Sequence, residues 1–300
     1  MFEDGIITPS GVRVYSALSH NVSGVDVTDA EDIQTQDLLR KYSGPQGRGR
    51  ELFSEHSEDA LTWSLFHALS KLPTKAWLVD LLRVSVNDGL AKRYAPYAHL
   101  AEVRFWQSYK PSRGYVEWLN AKIRREGEAA FAHLERYEDQ VRAKRRLARV
   151  LDGDTAECER PTEVDIQIAL GKELKIVIEA KLTSDLGARG TFSPPGRNQL
   201  IRNCEILADS AQEEGFKDWR FILLTMDRLP DKLYTKTMKR YRSPDMRALR
   251  RWDEPGNTIH LREDMMHRAQ EPEDYFLNMS CRMGWCLWTD IFKLLAHYKV

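Results

Sequence analysis

The run Glu163-Val164-Asp165-Ile166-Gln167-Ile168-Ala169-Leu170-Gly171-Lys172-Glu173-Leu174-Lys175-Ile176-Val177-Ile178-Glu179-Ala180-Lys181 decides how this chain is read. Val164, Ile166 and Ile168 alternate with Glu163, Asp165 and Gln167. Beyond a short turn at Leu170-Gly171-Lys172, Leu174, Ile176, Ile178 and Ala180 alternate with Glu173, Lys175, Val177, Glu179 and Lys181. Alternation on both sides of a glycine turn predicts an antiparallel hairpin with one apolar and one polar face. With the turn centred near Gly171, Asp165 falls close to Val177, and Glu179 becomes its diagonal neighbour on the same face. Lys181 emerges there too, because side chains repeat every two residues along a strand.

Two carboxylates and an ammonium on one face suit phosphodiester hydrolysis. Carboxylate oxygens are the hard ligands that Mg²⁺ takes, and a few suffice because the ion keeps waters and accepts phosphate oxygens. Such an ion lowers the pKa of bound water and stabilises charge on the phosphate. A neighbouring lysine positions the attacking water and offsets developing negative charge. Glu-x-Lys alone carries little information, since Glu173-Leu174-Lys175 repeats it on the same strand. The alternative is a hairpin whose polar face is simply solvated, which is common in antiparallel sheets. Burial of that face separates the two.

Working outward, residues 1–50 read as an N-terminal extension ending in the loop Gly44-Pro45-Gln46-Gly47-Arg48-Gly49-Arg50. Ser57 is a good N-cap for a helix with Glu58 and Asp59 in its first turn; Leu61, Leu65, Phe66, Leu69 and Leu72 follow the helical period, and Pro73 stops it. A second helix is expected over Lys75 to Arg83 and a strand over Leu100 to Trp106. Residues 115–150 are helical and heavily charged, divided near Gly127. After the hairpin, a helix from about Arg197 to Ala211 leads to a buried strand, Trp219 to Thr225, and Trp285 to Tyr298 is expected to close the chain as an amphipathic helix.

Asp165, followed fourteen positions later by Glu179-Ala180-Lys181 at the end of an apolar strand, resembles the motif of the PD-(D/E)xK nuclease superfamily. The resemblance covers roughly residues 51–226 and implies an α/β fold: a restriction-endonuclease-like αβββαβ core, with a helical insertion at about 107–150 and extra C-terminal helices in a basic part at about 230–300. It implies Mg²⁺, with Mn²⁺ able to substitute, bound by Asp165, Glu179 and the carbonyl of Ala180. Lys181 would assist the water nucleophile, and Glu58 would match the acidic residue many members place on the first core helix. Val164 stands where the motif has proline. Gln199 stands where some members carry a Gln-xxx-Tyr signature, with Asn203 in place of the tyrosine; Gln199 would contact metal-bound water or nucleic acid. The function implied is DNA hydrolysis of the restriction or mobile-element defence kind, with a homodimer and partner proteins of such a system expected. The alternative is a non-catalytic nucleic-acid-binding or assembly protein on a degenerate nuclease fold.

Composition sets the outer bounds. Lys plus Arg equals Asp plus Glu at 45 each, so net charge offers no evidence for a polyanion partner. Local charge does: Lys232 to Arg251 holds eight basic residues, Lys239 and Arg240 among them, against the single acid Asp245. Arg142 to Arg149 forms a second cluster around Arg145 and Arg146, and Arg197 adds to the basic set. Each cluster would neutralise phosphates or line a solvated helix face. Mean hydropathy is −0.53, and no stretch reaches the roughly 18 apolar residues of a membrane span. The acidic N-terminus lacks a secretion pattern, so a cytoplasmic protein is expected. Cys158, Cys204, Cys281 and Cys286 form no zinc-ligand spacing, and free thiols are expected, with Cys281 and Cys286 as small core residues. His56 and His67 read as structural, and Trp285 and Trp288 as core packing, with Trp285 able to stack on a base if exposed.

Overall fold

The computed structural model describes residues 6–7, 13–14, 33–42, 58–132, 137–152, 161–181, 199–225, 262, 265–268 and 270–298. Helix α1 spans Ile33–Tyr42, α2 Glu58–Ser70, α3 Ala76–Ser85 and α4 Asp88–Tyr94; strand β1 is Ala101–Tyr109. Helices α5 (Arg113–Glu126) and α6 (Tyr137–Leu151) follow, then β2 (Thr162–Leu170), β3 (Leu174–Ala180), α7 (Gln199–Glu213) and β4 (Trp219–Thr225). Helix α8 (Glu273–Ser280), β5 (Met283–Leu287) and α9 (Trp288–Tyr298) follow, with short 3-10 turns at Ala95–Leu100, Gly127–Phe131 and Met266–Arg268. A two-residue ribbon pairs Ile6–Ile7 with Arg13–Val14.

The five strands form one open mixed sheet in sequence order, giving an α/β fold. Strands β1, β2 and β3 run antiparallel as a meander, whereas β4 and β5 are parallel to β3. The β2–β3 turn closes on the pair Leu170–Leu174, with Glu173 N donating to Leu170 O at 3.0 Å. Gly171 takes φ +54° there, a backbone region open to glycine. The parallel β3–β4 step requires a crossover, which α7 supplies.

Helices cover both faces of the sheet. On one, Trp63, Phe66, Trp77, Leu81, Trp288 and Ile291 pack over Ile166, Ile168, Ile176 and Ile178. On the other, Leu200, Ile201, Cys204, Leu207 and Phe276 pack over Val177, Phe221, Leu223 and Trp285. Each fully buried Leu, Ile or Phe contributes roughly 1.5–3 kcal/mol. Every residue of β3 is therefore buried, including Lys175 and Glu179, both 0% exposed. The polar face expected of the hairpin is buried along β3, whereas on β2 Glu163 is exposed and Asp165 and Gln167 are half-buried.

Patterning also errs at Val164, which joins the α7 side of the core whereas Ile166, Ile168 and Leu170 belong to the other. The alternation switches face at Asp165. At the C-terminus, Met283–Leu287 is a strand, and the helix starts at Trp288 rather than Trp285. Gly284 allows this close seating, since a Cβ there would lie 2.7 Å from Ser85 O. Trp285 and Trp288 are both buried as expected. Helix α4 was not anticipated, although Asn87 caps it by accepting from Leu90 N at 2.8 Å.

Helix α1 closes the edge of the sheet. Gln34 Nε2 donates to Val103 O at 3.1 Å, Asp37 Oδ2 accepts from Phe105 N at 2.9 Å, and Arg40 Nη2 donates to Phe105 O at 3.2 Å. Residues one turn apart thus answer the unpaired peptide groups of β1, which would otherwise template association. Helices α5 and α6 build a small core of their own from Tyr115, Leu119, Ile123, Phe131, Ala143 and Val150, with Gly127 at φ +57° ending α5. Cys204 and Cys286 are buried, but Cys281 is exposed rather than a core residue. His67 is buried, stacked on Trp63 and 2.7 Å from Gln34 Oε1. Among the described residues no helix is long and apolar enough to cross a membrane.

Candidate active site

The β2–β3 ladder ends at the pair Ile166–Ile178, and extending its register by one step would place Asp165 opposite Glu179. The two are direct rather than diagonal neighbours, because the loop is three residues long and not centred on Gly171. Lys175 N and Lys181 N both donate to β4, so odd residues of β3 turn their peptides that way. Ala180 N therefore points to β2, where Asp165 Oδ2 accepts it at 2.8 Å. The carboxylate takes the place of a ladder acceptor. The Ala180 carbonyl shares that side, as N–H and C=O of one strand residue do.

Glu179 sits under a dense set of donors. Asn203 Nδ2 donates to its Oε2 at 2.7 Å, and Gln199 Nε2 donates to its Oε1. Lys181 Nζ lies 2.6 Å from the same Oε1. Gln199 and Asn203 stand four residues apart and so share one face of α7. Lys181 is 6% exposed and also lies 3.4 Å from Glu58 Oε1 in the first turn of α2. Its carbonyl accepts from Trp288 Nε1 at 3.1 Å, and its N–H donates to Leu224 O at 2.8 Å, so backbone and side chain are both held. The N-terminal ends of α2 and α7 bring their partial positive charge to these acids.

Burial and the adjacent Glu179 push the Asp165 carboxyl well above the usual aspartate range; Lys181 opposes the shift, while Asp59 and Glu58 add to it. Burial works against the charge on Lys181, but Glu179, Asp165 and Glu58 outweigh it and raise its pKa. Lys181 thus stays an ammonium, and Asp165 carries a proton more readily than an exposed aspartate. The second Glu-x-Lys copy differs. Lys175 Nζ meets Glu214 Oε1 at 2.6 Å and Ser210 Oγ at 3.1 Å at the far end of the strand, and Glu173 pairs outside with Lys217.

Asp165, Glu179, Lys181, Glu58 and Gln199 are therefore brought together. Asp59, Trp106 and Asn203 join them without having been assigned roles: Trp106 Nε1 donates to Asp59 Oδ1 at 3.2 Å. For Asn203 the signal was present, in its four-residue spacing from Gln199. Arg145 is exposed on α6, which also carries Arg146, and belongs to the helical pair rather than to this cluster. Arg197, Lys239 and Arg240 lie outside the described residues, as do His56, Ser57 and Cys158.

The oxygen donors of Asp165, Glu179, Glu58 and the Ala180 carbonyl are of the kind Mg²⁺ takes. Both Glu179 oxygens already accept from protein groups, and no cluster of three or more His, Cys, Asp or Glu is arranged to hold a metal ion among the described residues. A metal would have to exchange with one of those donors. No family model, curated protein or solved structure matches the chain.

Proposed function

We propose that this protein is a metal-dependent nuclease of the PD-(D/E)xK type, with a restriction-endonuclease-like core and DNA as substrate. The observation that carries this reading is the enclosure of Glu179 and Lys181, 0% and 6% exposed, beside Asp165 at the end of β3. A merely wet hairpin face would leave these groups in water, and burying charges is costly unless they are paired and hydrogen-bonded, as these are. With α3 and α4 after α2 and the pair α5–α6 after β1 taken as insertions, the order α2, β1–β3, α7, β4 follows the αβββαβ sequence of that superfamily and supports the same reading.

In this assignment Asp165, Glu179, the Ala180 carbonyl and Glu58 would hold Mg²⁺ or Mn²⁺, which when bound would supply Lewis-acid polarisation of the phosphate and lower the pKa of a water. Lys181 keeps its proton, orients the attacking water and offsets charge on the phosphate. Gln199 and Asn203 hold the Glu179 carboxylate in register. Arg145 and Arg146 grip phosphates, as do Arg197, Lys239 and Arg240. Restriction or mobile-element defence is the role proposed, with a homodimer suited to cutting both strands. Plasmid and single-stranded DNA incubated with and without Mg²⁺ provide the test. Glu179→Ala and Lys181→Ala are expected to abolish cleavage in variants that still fold but with reduced stability, and retained cleavage in both sinks the assignment.

One observation favours a second reading, a non-catalytic nucleic-acid-binding or assembly protein on a degenerate nuclease fold: the Glu179 carboxylate already has protein donors on both oxygens. Titration with Mn²⁺ separates the two, since binding that is lost in Asp165→Ala belongs to the enzyme.

A further inference from the structure

Trp106 is the sole non-glycine residue with positive φ among the described residues, at +48°. It lies across from Asp165. The β1–β2 ladder pairs Phe105 with Ile166 and Gln107 with Val164, and it omits the Trp106–Asp165 pair between them. The register is the same on both sides, so no residue has been inserted and the break is not a bulge. In an antiparallel ladder the peptides of Val103 and Phe105 face the outer edge, and they do, meeting Gln34, Asp37 and Arg40. Trp106 should then face inward to Asp165. Its carbonyl instead accepts from Arg40 Nη2 at 3.2 Å, on the outer edge.

Strain of this kind persists only where surrounding contacts hold it, and it concentrates at functional sites. The contacts here are many. The Trp106 indole stacks on Trp63 with centroids 5.8 Å apart and planes 8° from parallel. Its Nε1 donates to Asp59, and Lys41 Nζ lies 5.7 Å from the ring. The chain consequently switches faces at this point in both strands, which is why Phe105 and Trp106 are buried together and Val164 parts from Ile166.

We propose that Trp106 is a positioning residue for Asp165: its left-handed backbone opens the sheet at that one pair and leaves the Asp165 carboxylate placed to accept from Ala180 N, beside Glu179. The device rests on the metal-nuclease reading of the site. A residue in ordinary extended conformation at position 106 would re-form the pair and draw the Asp165 backbone back into the ladder, away from the other donors.

Comparing Trp106→Gly with Trp106→Ala in the full chain tests this, because both lose the indole but glycine alone adopts positive φ without penalty. Mn²⁺ affinity, measured by electron paramagnetic resonance, is the readout. Trp106→Gly is expected to bind Mn²⁺ within about threefold of wild type, and Trp106→Ala roughly 10- to 100-fold more weakly, the range for losing a group that orients a metal ligand. Should both unfold, Arg40→Ala, which releases the Trp106 carbonyl while keeping the indole, is expected to weaken Mn²⁺ in the same range. Equal affinity of the glycine and alanine variants, or unchanged affinity in Arg40→Ala, overturns the proposal while leaving the metal site standing. A wild-type protein that binds no Mn²⁺ overturns the metal reading itself and this role with it.

Discussion

Asn203 Nδ2 lies 2.7 Å from Glu179 Oε2, and both side chains are fully shielded from water. A carboxylate buried to this extent depends on its donors, since hydrogen bonds to charged groups are worth roughly 1.5–3 kcal/mol each. Replacing Asn203 by Leu keeps the volume and removes the donor. A loss of about 2 kcal/mol is expected in urea denaturation, with a fall in cleavage that Asn203→Gln recovers in part. Unchanged stability would show that Glu179 is held without it.

Lys181 is the ammonium that makes the buried Glu179 and the adjacent, half-buried Asp165 tolerable. Lys181→Met leaves Glu179 without its counter-charge, and removing one member of a buried pair costs about 3–5 kcal/mol. The variant is therefore expected to lose both cleavage and stability, whereas the double variant Lys181→Met with Glu179→Gln regains most of the stability and none of the activity. Thermal melts and plasmid cleavage on the same preparations check both halves.

The Asp165 carboxyl has a raised pKa from burial and from Glu179. Its folded form holds a proton that the unfolded chain releases, so the stability it contributes is present below the ordinary aspartate pKa and declines as pH climbs through the raised value. Metal-free wild type is expected to lose stability over that rise relative to Asp165→Asn, whose melting temperature lacks this component. If the proposed metal site exists, Mn²⁺ affinity is expected to run the other way and increase with pH, because the ion competes with the proton. A wild-type-minus-variant difference that is flat with pH would contradict the protonated Asp165.

Asp37 is 1% exposed and accepts from Phe105 N, from Arg104 Nε and from Arg104 Nη2, each at 2.9 Å. Asp37→Ala leaves an unpaired edge peptide and a partly buried arginine, at a cost of about 2 kcal/mol or more. Because α1 covers β1, deleting residues 1–50 is expected to produce concentration-dependent aggregation by light scattering. A monomeric, fully stable truncation would show that the edge protects itself.

Arg145 offers a test separate from the chemistry. Arg145→Glu is expected to weaken DNA binding without metal and to reduce the slope of log affinity against log salt by about 1 or more. An unchanged slope removes α6 from the interface.

Much of the fold was legible because its signals are local. Strand Trp219–Thr225 follows its apolar run, α7 starts within two residues of expectation, and Gly127 ends α5 as its composition suggests. Where patterning failed, packing had overruled it. Trp285 fits the period of the helix behind it, yet a face seated against α3 and paired to β4 holds it in a strand. Alternation across Asp165 read as one continuous strand face because nothing in the residues 163–168 announces a left-handed Trp106 nearly sixty positions earlier.

By itself the sequence determined that Asp165, Glu179 and Lys181 share one end of one hairpin, since a two-residue repeat and a glycine turn are properties of adjacent residues. It could not distinguish a wet acidic face from a buried one, because the pattern of polar side chains is the same in both. Only the tertiary structure decided that: helices α2 and α7 close over β3 from opposite sides, bringing Glu58, 123 positions from Lys181, and Asn203, 24 positions from Glu179, onto the same few charges. Desolvation and opposing charge then set the protonation of Asp165 and Lys181, and both depend on distances across the fold that no local pattern encodes.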